Sequence, residues 1–366
     1  MNYLDDLKHI VTLNSYTSNK IGVDKNGEIF DEWMRSIGYD IEIHHRESIG
    51  SHRHYKSASV DGKKLLLIGH LDTVFPQRSF ESFSEDDSWV YGAGVCDMKG
   101  GNIVALQALR NLYSQNIDIR NIDMLLVSDE ESGSDDSKYL SQKLAPQYDY
   151  AFIYEAAGKN LELVTGRKGV GTFTCNIVGK ASHAGNHYSR GVDANLEASY
   201  KLQKLVSLTN LELGTTLNVG KISGGIGANT ISPNASITFE IRYKLVSEKE
   251  RLLDAIDKIV KSSYVDGSTA TLSGGIQRDV MQSSSSSFNL LKKINIISKQ
   301  NLPSEERGGV SDANIFSACG VVTLDGFGPF GDGDHTVHER ASKESFKSRI
   351  ELSEKLFSHF VENLEF

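Results

Sequence analysis

Cysteine is scarce: Cys96, Cys175 and Cys319 are the whole supply in 366 residues. They are odd in number, far apart and never in a C-x-x-C pair, which excludes a disulfide framework and a thiolate zinc site. Any metal here must be held by histidines and carboxylates. No run of about 18 apolar residues exists to span a bilayer. Residues 1–12 alternate apolar with charged side chains instead of forming a signal-peptide core, so a cytoplasmic protein is expected. Positive charge is also short, with 39 Lys and Arg against 48 Asp and Glu and a net charge of -9. That balance argues against non-specific binding to nucleic acid or an anionic membrane. What remains, 39% hydrophobic and 24% charged residues, is the make-up of a globular chain long enough for two domains.

Leu4, Leu7, Ile10 and Val11, then Phe30, Trp33, Met34 and Ile37, recur at helical spacing and predict two amphipathic helices. Ile41 and Ile43 predict a strand that runs into His44, His45, His52 and His54. Beside Arg46, Arg53 and Lys56 these histidines read as a solvated stretch rather than a metal site. The unbroken run Leu65-Leu66-Leu67-Ile68 suits a buried strand of a mostly parallel sheet, and it emerges into His70-Leu71-Asp72. Residues two apart on an extended segment share a face, so His70 and Asp72 point the same way at the strand's C-terminal edge. That edge is where open α/β sheets bind ligands.

Two further strands end in the same manner. Residues 122–127 lead into Asp129-Glu130-Glu131, and residues 150–154 end at Glu155. Adjacent carboxylates at a strand end repel unless a cation is present, and such a pair divides naturally into one ligand and one general base. Between His70 and the first of these two strands lies Gly92-Ala93-Gly94-Val95-Cys96-Asp97-Met98-Lys99-Gly100, a glycine-rich loop before a helical pattern over 98–116. Its flexibility lets one side chain, Asp97, be pressed into a site built by other strands, where it would bridge two metal ions.

From residue 169 the composition changes. The pattern reads strand 171–178, helix 193–208, strand 215–222, strand 235–243, helix 247–263, strand 269–272, the βαββαβ order of a ferredoxin-like α+β domain. The expected architecture is an α/β catalytic domain, a mixed mostly parallel sheet flanked by helices, made from residues 1–167 and 279–366, with residues 168–278 inserted. The insert carries His183 in Gly-Lys-Ala-Ser-His-Ala-Gly, Asn229 in a glycine-rich loop, and Arg242 beside Glu240 on a polar strand face. Arginine suits two-point capture of a carboxylate. Near the C-terminus Asp334-His335-Thr336-Val337-His338-Glu339 follows a glycine-rich stretch, and a last helix carries Phe346, Ile350, Leu352, Leu356, Phe357 and Phe360 as a core stripe.

The order H-x-D, G-x-G-x-x-D-M-K-G, D-E-E, a strand-ending Glu, G-K-A-S-H-A-G, an Arg-bearing strand and H-T-x-x-E resembles the co-catalytic zinc peptidases. That family includes acetylornithine deacetylase, succinyl-diaminopimelate desuccinylase and the folate-cleaving glutamate carboxypeptidases. Residues 165–169, 191–195 and 308–313 look most like the last branch. The resemblance implies two Zn2+ ions, with Co2+ or Mn2+ as alternatives. His70 and Glu155 would hold one, Glu131 and His335 the other, and Asp97 both. The choice of His335 over His338 rests on the spacing to Glu339. Asp72 would orient His70, and Glu130 would act as base and then acid. His183 from the partner of a homodimer would stabilise the oxyanion, while Arg242 and Asn229, with Gly309 nearby, would bind the substrate carboxylate. Ala93 and Ala156 depart from the family's usual residues beside the ligands. The implied activity is cleavage of an amide next to a free carboxylate in a small peptide or N-acyl amino acid, by a carboxypeptidase or, alternatively, an N-acyl-amino-acid deacylase. A non-catalytic homologue would be expected to have lost Glu130 or a ligand. A dehydrogenase is disfavoured because Asp97 stands where the dinucleotide fingerprint needs its third glycine.

Overall fold

Leu65, Leu66, Leu67 and Ile68 are all fully buried in the strand Leu65–His70, as an unbroken apolar run requires of a strand covered on both faces. In this computed structural model, which describes residues 2–366, that strand lies inside a six-stranded sheet. The order is Asp40–His44, His52–Lys56, Ile122–Val127, Leu65–His70, Tyr150–Ile153, Val322–Leu324. Leu65–His70 pairs in parallel with both neighbours, and so does Tyr150–Ile153 with Val322–Leu324. The other edge is antiparallel. The expected mixed, mostly parallel sheet is present.

Helices Lys99–Ser114 and Lys343–Asn363 pack against each other. The first buries Ile103, Val104, Leu106, Leu109 and Leu112. The second buries the whole stripe from Phe346 to Phe360, and at about 1.5–3 kcal/mol for each large apolar side chain removed from water, core packing accounts for it. Among the described residues no helix is long and apolar enough to cross a membrane.

The histidine-rich stretch corrects the sequence reading. Strand His52–Lys56 is paired on both edges, so His52 and His54 are buried in the sheet rather than solvated. A second feature has no counterpart in the sequence patterns: a small antiparallel sheet ordered Gly331–Asp332, Arg340–Ser342, Trp89–Tyr91, Ser84–Glu85. Its strands are two or three residues long, too short for any periodicity to show.

The chain divides into two compact units. The first holds these sheets and comprises the described residues up to Gly166 with Ser283–Arg307 and Ser311–Phe366. The second comprises Arg167–Gln282 and Gly308–Val310. It is a four-stranded antiparallel sheet ordered Thr216–Gly224, Asn234–Tyr243, Gly169–Val178, Thr269–Arg278. Helices Ala194–Val206 and Val246–Lys261 pack on it, over a core that includes Phe173, Ile177, Ile237, Phe239 and Ile256. The last strand runs to Arg278 instead of stopping at 272. Beyond residue 272, Gly274 takes φ +94 and lies so close to Thr172 that a Cβ would sit 2.2 Å from its carbonyl oxygen. The ladder then continues through an irregularity between Ile276 and Arg278. The serine run also has a defined job: Ser284 and Ser287 form a reciprocal cap on helix Ser285–Ser298.

Candidate metal centre

The ends of three neighbouring parallel strands converge as their spacing predicts. His70 closes Leu65–His70, Glu131 follows Ile122–Val127, and Glu155 follows Tyr150–Ile153. Asp97 stands among them, its two oxygens turned to different histidines. Oδ1 is 3.1 Å from His70 Nε2 and Oδ2 is 3.2 Å from His335 Nε2. His70 Nε2 is also 3.8 Å from Glu155, and His335 Nε2 is 3.3 Å from Glu131. Two donor triads result, His70/Asp97/Glu155 and Asp97/Glu131/His335, the ligand atoms of each lying within 4.8 Å of one another. They share Asp97. His338 is exposed, and its backbone N–H donates to the Thr336 hydroxyl.

The small sheet explains how Asp97 and His335 meet. Trp89–Tyr91 leads into the Asp97 loop, Gly331–Asp332 leads towards His335, and both belong to that sheet. Glu339, used in the sequence only as a spacing mark, is the clasp. Its buried carboxylate accepts from the amides of Gly94 (2.9 Å), Cys96 (2.9 Å) and Asp97 (3.0 Å). On the other side, helix Lys99–Ser114 comes so close to the Glu155 segment that a Cβ on Gly101 would lie 1.8 Å from the Tyr154 carbonyl oxygen. Asp72, fully buried, lies beside His70 through its backbone oxygen, 3.0 Å from Nδ1, with its carboxylate at 3.5 Å. That carboxylate also accepts from the Thr17 hydroxyl and from the amides of Glu130 and Glu131. It therefore aligns the Glu-Glu pair as well as the histidine. Thr17 and Asn102, which donates to the His70 carbonyl at 2.7 Å, carry no motif that would have singled them out.

The electrostatics describe a site short of positive charge. Burial pushes the Glu131 carboxyl up to about 7, with Asp97 and Glu130 adding to the effect against the pull of His335. Burial and the charge of Asp97 push Glu155 well above the ordinary carboxylate range. Burial would raise Asp97 too, but hydrogen bonds from His335 and His70 hold it well below that range. In turn, bonds to Asp97 and Glu131 draw His335 up to about 11. Against the effect of burial, Asp72 and Asp97 raise His70 well above its ordinary value. Two imidazoles and three carboxylates, with no sulfur, fit a pair of borderline divalent ions.

In the second unit His183 is exposed and pairs with Thr230 across a two-residue bridge. Its Nδ1 accepts from the amides of Gly185 and Asn186, each at 3.2 Å. The ring proton therefore sits on Nε2, a donor. Asn229 is beside it, its carbonyl accepting from Ala184 N–H. Arg242 stands elsewhere. Its Nε and Nη2 grip Glu240 (2.7 and 3.3 Å) and its Nη1 donates to Gly308 (2.8 Å), next to the exposed Gly309. The His183 and Asn229 loops adjoin the Asn234 end of strand Asn234–Tyr243, where Gly225 N–H meets Asn234, whereas Arg242 is at its other end. At about 3.4 Å per residue the two ends are about 27 Å apart.

Residues 66–359 match Peptidase family M20/M25/M40. The chain belongs to that family and is a metallopeptidase or amidohydrolase, so the resemblance read from its motifs is borne out. Carboxypeptidase G2 of Pseudomonas sp. (strain RS-16) is 26% identical over 340 residues, covering 90% of this chain and 82% of that one. Succinyl-diaminopimelate desuccinylase of Helicobacter pylori (strain Shi470) is 27% identical over 325 residues, covering 84% and 82%. The crystal structure of aminopeptidase PepT from Bacillus cereus ATCC 10987 matches with a TM-score of 0.83 over 99% of this chain and 98% of that one, at 20% identity. That last likeness speaks to the fold.

Proposed function

We propose that this chain is a cytoplasmic, homodimeric carboxypeptidase with two co-catalytic zinc ions, releasing C-terminal glutamate or another amino acid from acyl-glutamate or small peptides. The observation that carries the reading is the pair of donor triads sharing Asp97 beside Glu130. The extent of the similarity to carboxypeptidase G2 supports the choice of substrate class. His70 and Glu155 would hold one ion, Glu131 and His335 the other, and Asp97 would serve both; Co2+ and Mn2+ accept the same N and O donors. Bound zinc supplies polarisation of the scissile carbonyl and a more acidic water.

The remaining steps belong to the chain. Glu130 takes a proton from the attacking water and passes it to the departing amine. Asp72 orients the His70 ring through Nδ1 and holds the Glu130 backbone amide. His183 donates its Nε2 hydrogen to the carbonyl oxygen as negative charge develops there. Arg242, with Gly309 nearby, and Asn229 bind the free carboxylate. Two-point binding by Arg242 requires its pair with Glu240 to open. Two clusters about 27 Å apart serve one small substrate only if they come from different copies, which supports the homodimer.

The alternative is an N-acyl-amino-acid deacylase of the acetylornithine deacetylase or desuccinylase type, favoured by the similarity to the desuccinylase. The test is amino-acid release from a panel of N-acylated amino acids and dipeptides by zinc-loaded protein, with a chelator-treated control. Chelator-sensitive release of glutamate supports the carboxypeptidase. Release confined to acetyl or succinyl derivatives moves the protein to the deacylase reading, and turnover that survives full metal removal overturns both.

A further inference from the structure

The buried histidines of the main sheet contain an arrangement that the catalytic reading does not use. Strands Asp40–His44 and His52–Lys56 are antiparallel, with Glu42 opposite His54 and His44 opposite His52. The alternation of side chains puts Glu42, His44, His52 and His54 on one face. His52 is fully committed, Nε2 to Asp136 at 3.0 Å and Nδ1 as acceptor from Ser128 N–H. His44 and His54 are not. His44 Nε2 and His54 Nδ1 are both buried, and among the described residues neither has a hydrogen-bond partner. They converge on one carboxylate: His44 Nε2 is 3.7 Å from Glu42 Oε1, and His54 Nδ1 is 4.0 Å from Glu42 Oε2.

The proton on His54 is fixed by a relay. Tyr148 donates its hydroxyl hydrogen to Asp123 at 2.7 Å. The Tyr148 oxygen, 2.8 Å from His54 Nε2, must therefore accept, and His54 carries its hydrogen on Nε2. Nδ1 is left as a bare lone pair in a buried position, and an orphaned buried acceptor is costly to keep. Asp123 is itself anchored by the Ser57 amide and hydroxyl. A carboxylate that sets the tautomer of a histidine from behind is the arrangement that orients metal ligands.

We propose that Glu42, His44 and His54 form a separate divalent-metal site for a zinc-class ion, distinct from the centre at Asp97. Two imidazole nitrogens and one carboxylate oxygen, all within 4.8 Å of one another, select borderline ions such as Zn2+ over Mg2+ or Ca2+. His54 is only 1% exposed, whereas the Glu42 side chain is 47% exposed, so an ion enters from the Glu42 side. There it displaces the Lys56 ammonium, which pairs with Glu42 in the metal-free chain. Burial also lowers His54 to about 4, which keeps its ring neutral and able to ligate at neutral pH.

The test is to dialyse the full chain against Zn2+ and count bound zinc per chain by mass spectrometry, for wild type, His44→Ala, Glu42→Gln and Tyr148→Phe. Wild type holds one equivalent more than His44→Ala and than Glu42→Gln, whatever the Asp97 centre holds, and both variants keep wild-type hydrolytic activity. Tyr148→Phe, which leaves all three ligands in place, weakens the extra equivalent roughly 10–100-fold. Equal zinc counts in wild type and both ligand variants overturn the proposal. So does unchanged affinity in Tyr148→Phe, because the relay would then have no part in presenting the lone pair.

Discussion

Replacing Glu339 tests the view that the Asp97 loop is held in place from the far end of the chain. The Glu339 carboxylate is 1% exposed and accepts from three buried amides. Glu339→Ala orphans all three donors, and at about 1–3 kcal/mol for each unsatisfied buried group the cost is roughly 3–9 kcal/mol. That is a large share of the roughly 5–15 kcal/mol by which a folded protein is stable, and it corresponds to a fall of roughly 6–18 °C in Tm for a unit of this size, at about 2 °C per kcal/mol. Glu339→Gln keeps one acceptor oxygen and sets an NH2 group against an amide N–H, so its cost is about one donor's worth, roughly 1–3 kcal/mol. The assay is calorimetry on metal-stripped protein, paired with zinc titration. The expected order is wild type, Gln, Ala in both Tm and zinc affinity, because an unanchored loop presents Asp97 poorly. A Glu339→Ala variant that melts and binds zinc as wild type does would refute the reasoning.

Glu130→Ala is expected to lower kcat by about 10²–10⁴ with an unchanged zinc count; near-full activity would remove Glu130 from the role of base. Metal removal carries a pH signature. Glu131 has its folded pKa raised to about 7 from 4.5 and His335 to about 11 from 6.5, so the metal-free folded state binds more protons than the unfolded chain above about pH 4.5. Its stability is fully present below that pH and is lost as pH rises through these folded values. The Tm of stripped protein should therefore fall from pH 5 to pH 8, the gap to zinc-loaded protein should widen, and a constant gap would count against the reading. Mixing His183→Ala with Arg242→Ala, each weak alone, should restore about a quarter of wild-type activity after subunit exchange, because half the dimers are mixed and one of their two sites is intact. No recovery, with exchange verified by mass, would place both residues in one copy's site.

Much of the centre was legible because its donors sit at strand ends, where buried apolar runs announce the strands. Leu65 to Ile68 marked His70, and residues 122–127 marked Glu130 and Glu131. What was not legible depends on pairing across long distances. His52 and His54 look polar and loop-like in sequence, and become interior only because a strand pairs on each side of theirs. Glu339 has no local signal, since its partners are backbone amides, which any residue supplies. The continuation of the last strand past residue 272 was not legible because Gly274 and Gly275 have no side chains to show an alternation. The opposite placement of Asn229 and Arg242 required the register of the second unit's sheet.

The clasp between Glu339 and the Asp97 loop joins residues 242 apart. Chains are made from the N-terminus at about 5–20 residues per second, so Asp97 waits roughly 10–50 s for the carboxylate that fixes it. For most of that interval the nascent polypeptide carries His70, Glu131 and Glu155 but lacks both His335 and the clasp. A fragment that stops before residue 335 thus lacks one donor of the second triad and the anchor of the shared carboxylate, so the two triads are complete and clasped only once residue 339 has been made.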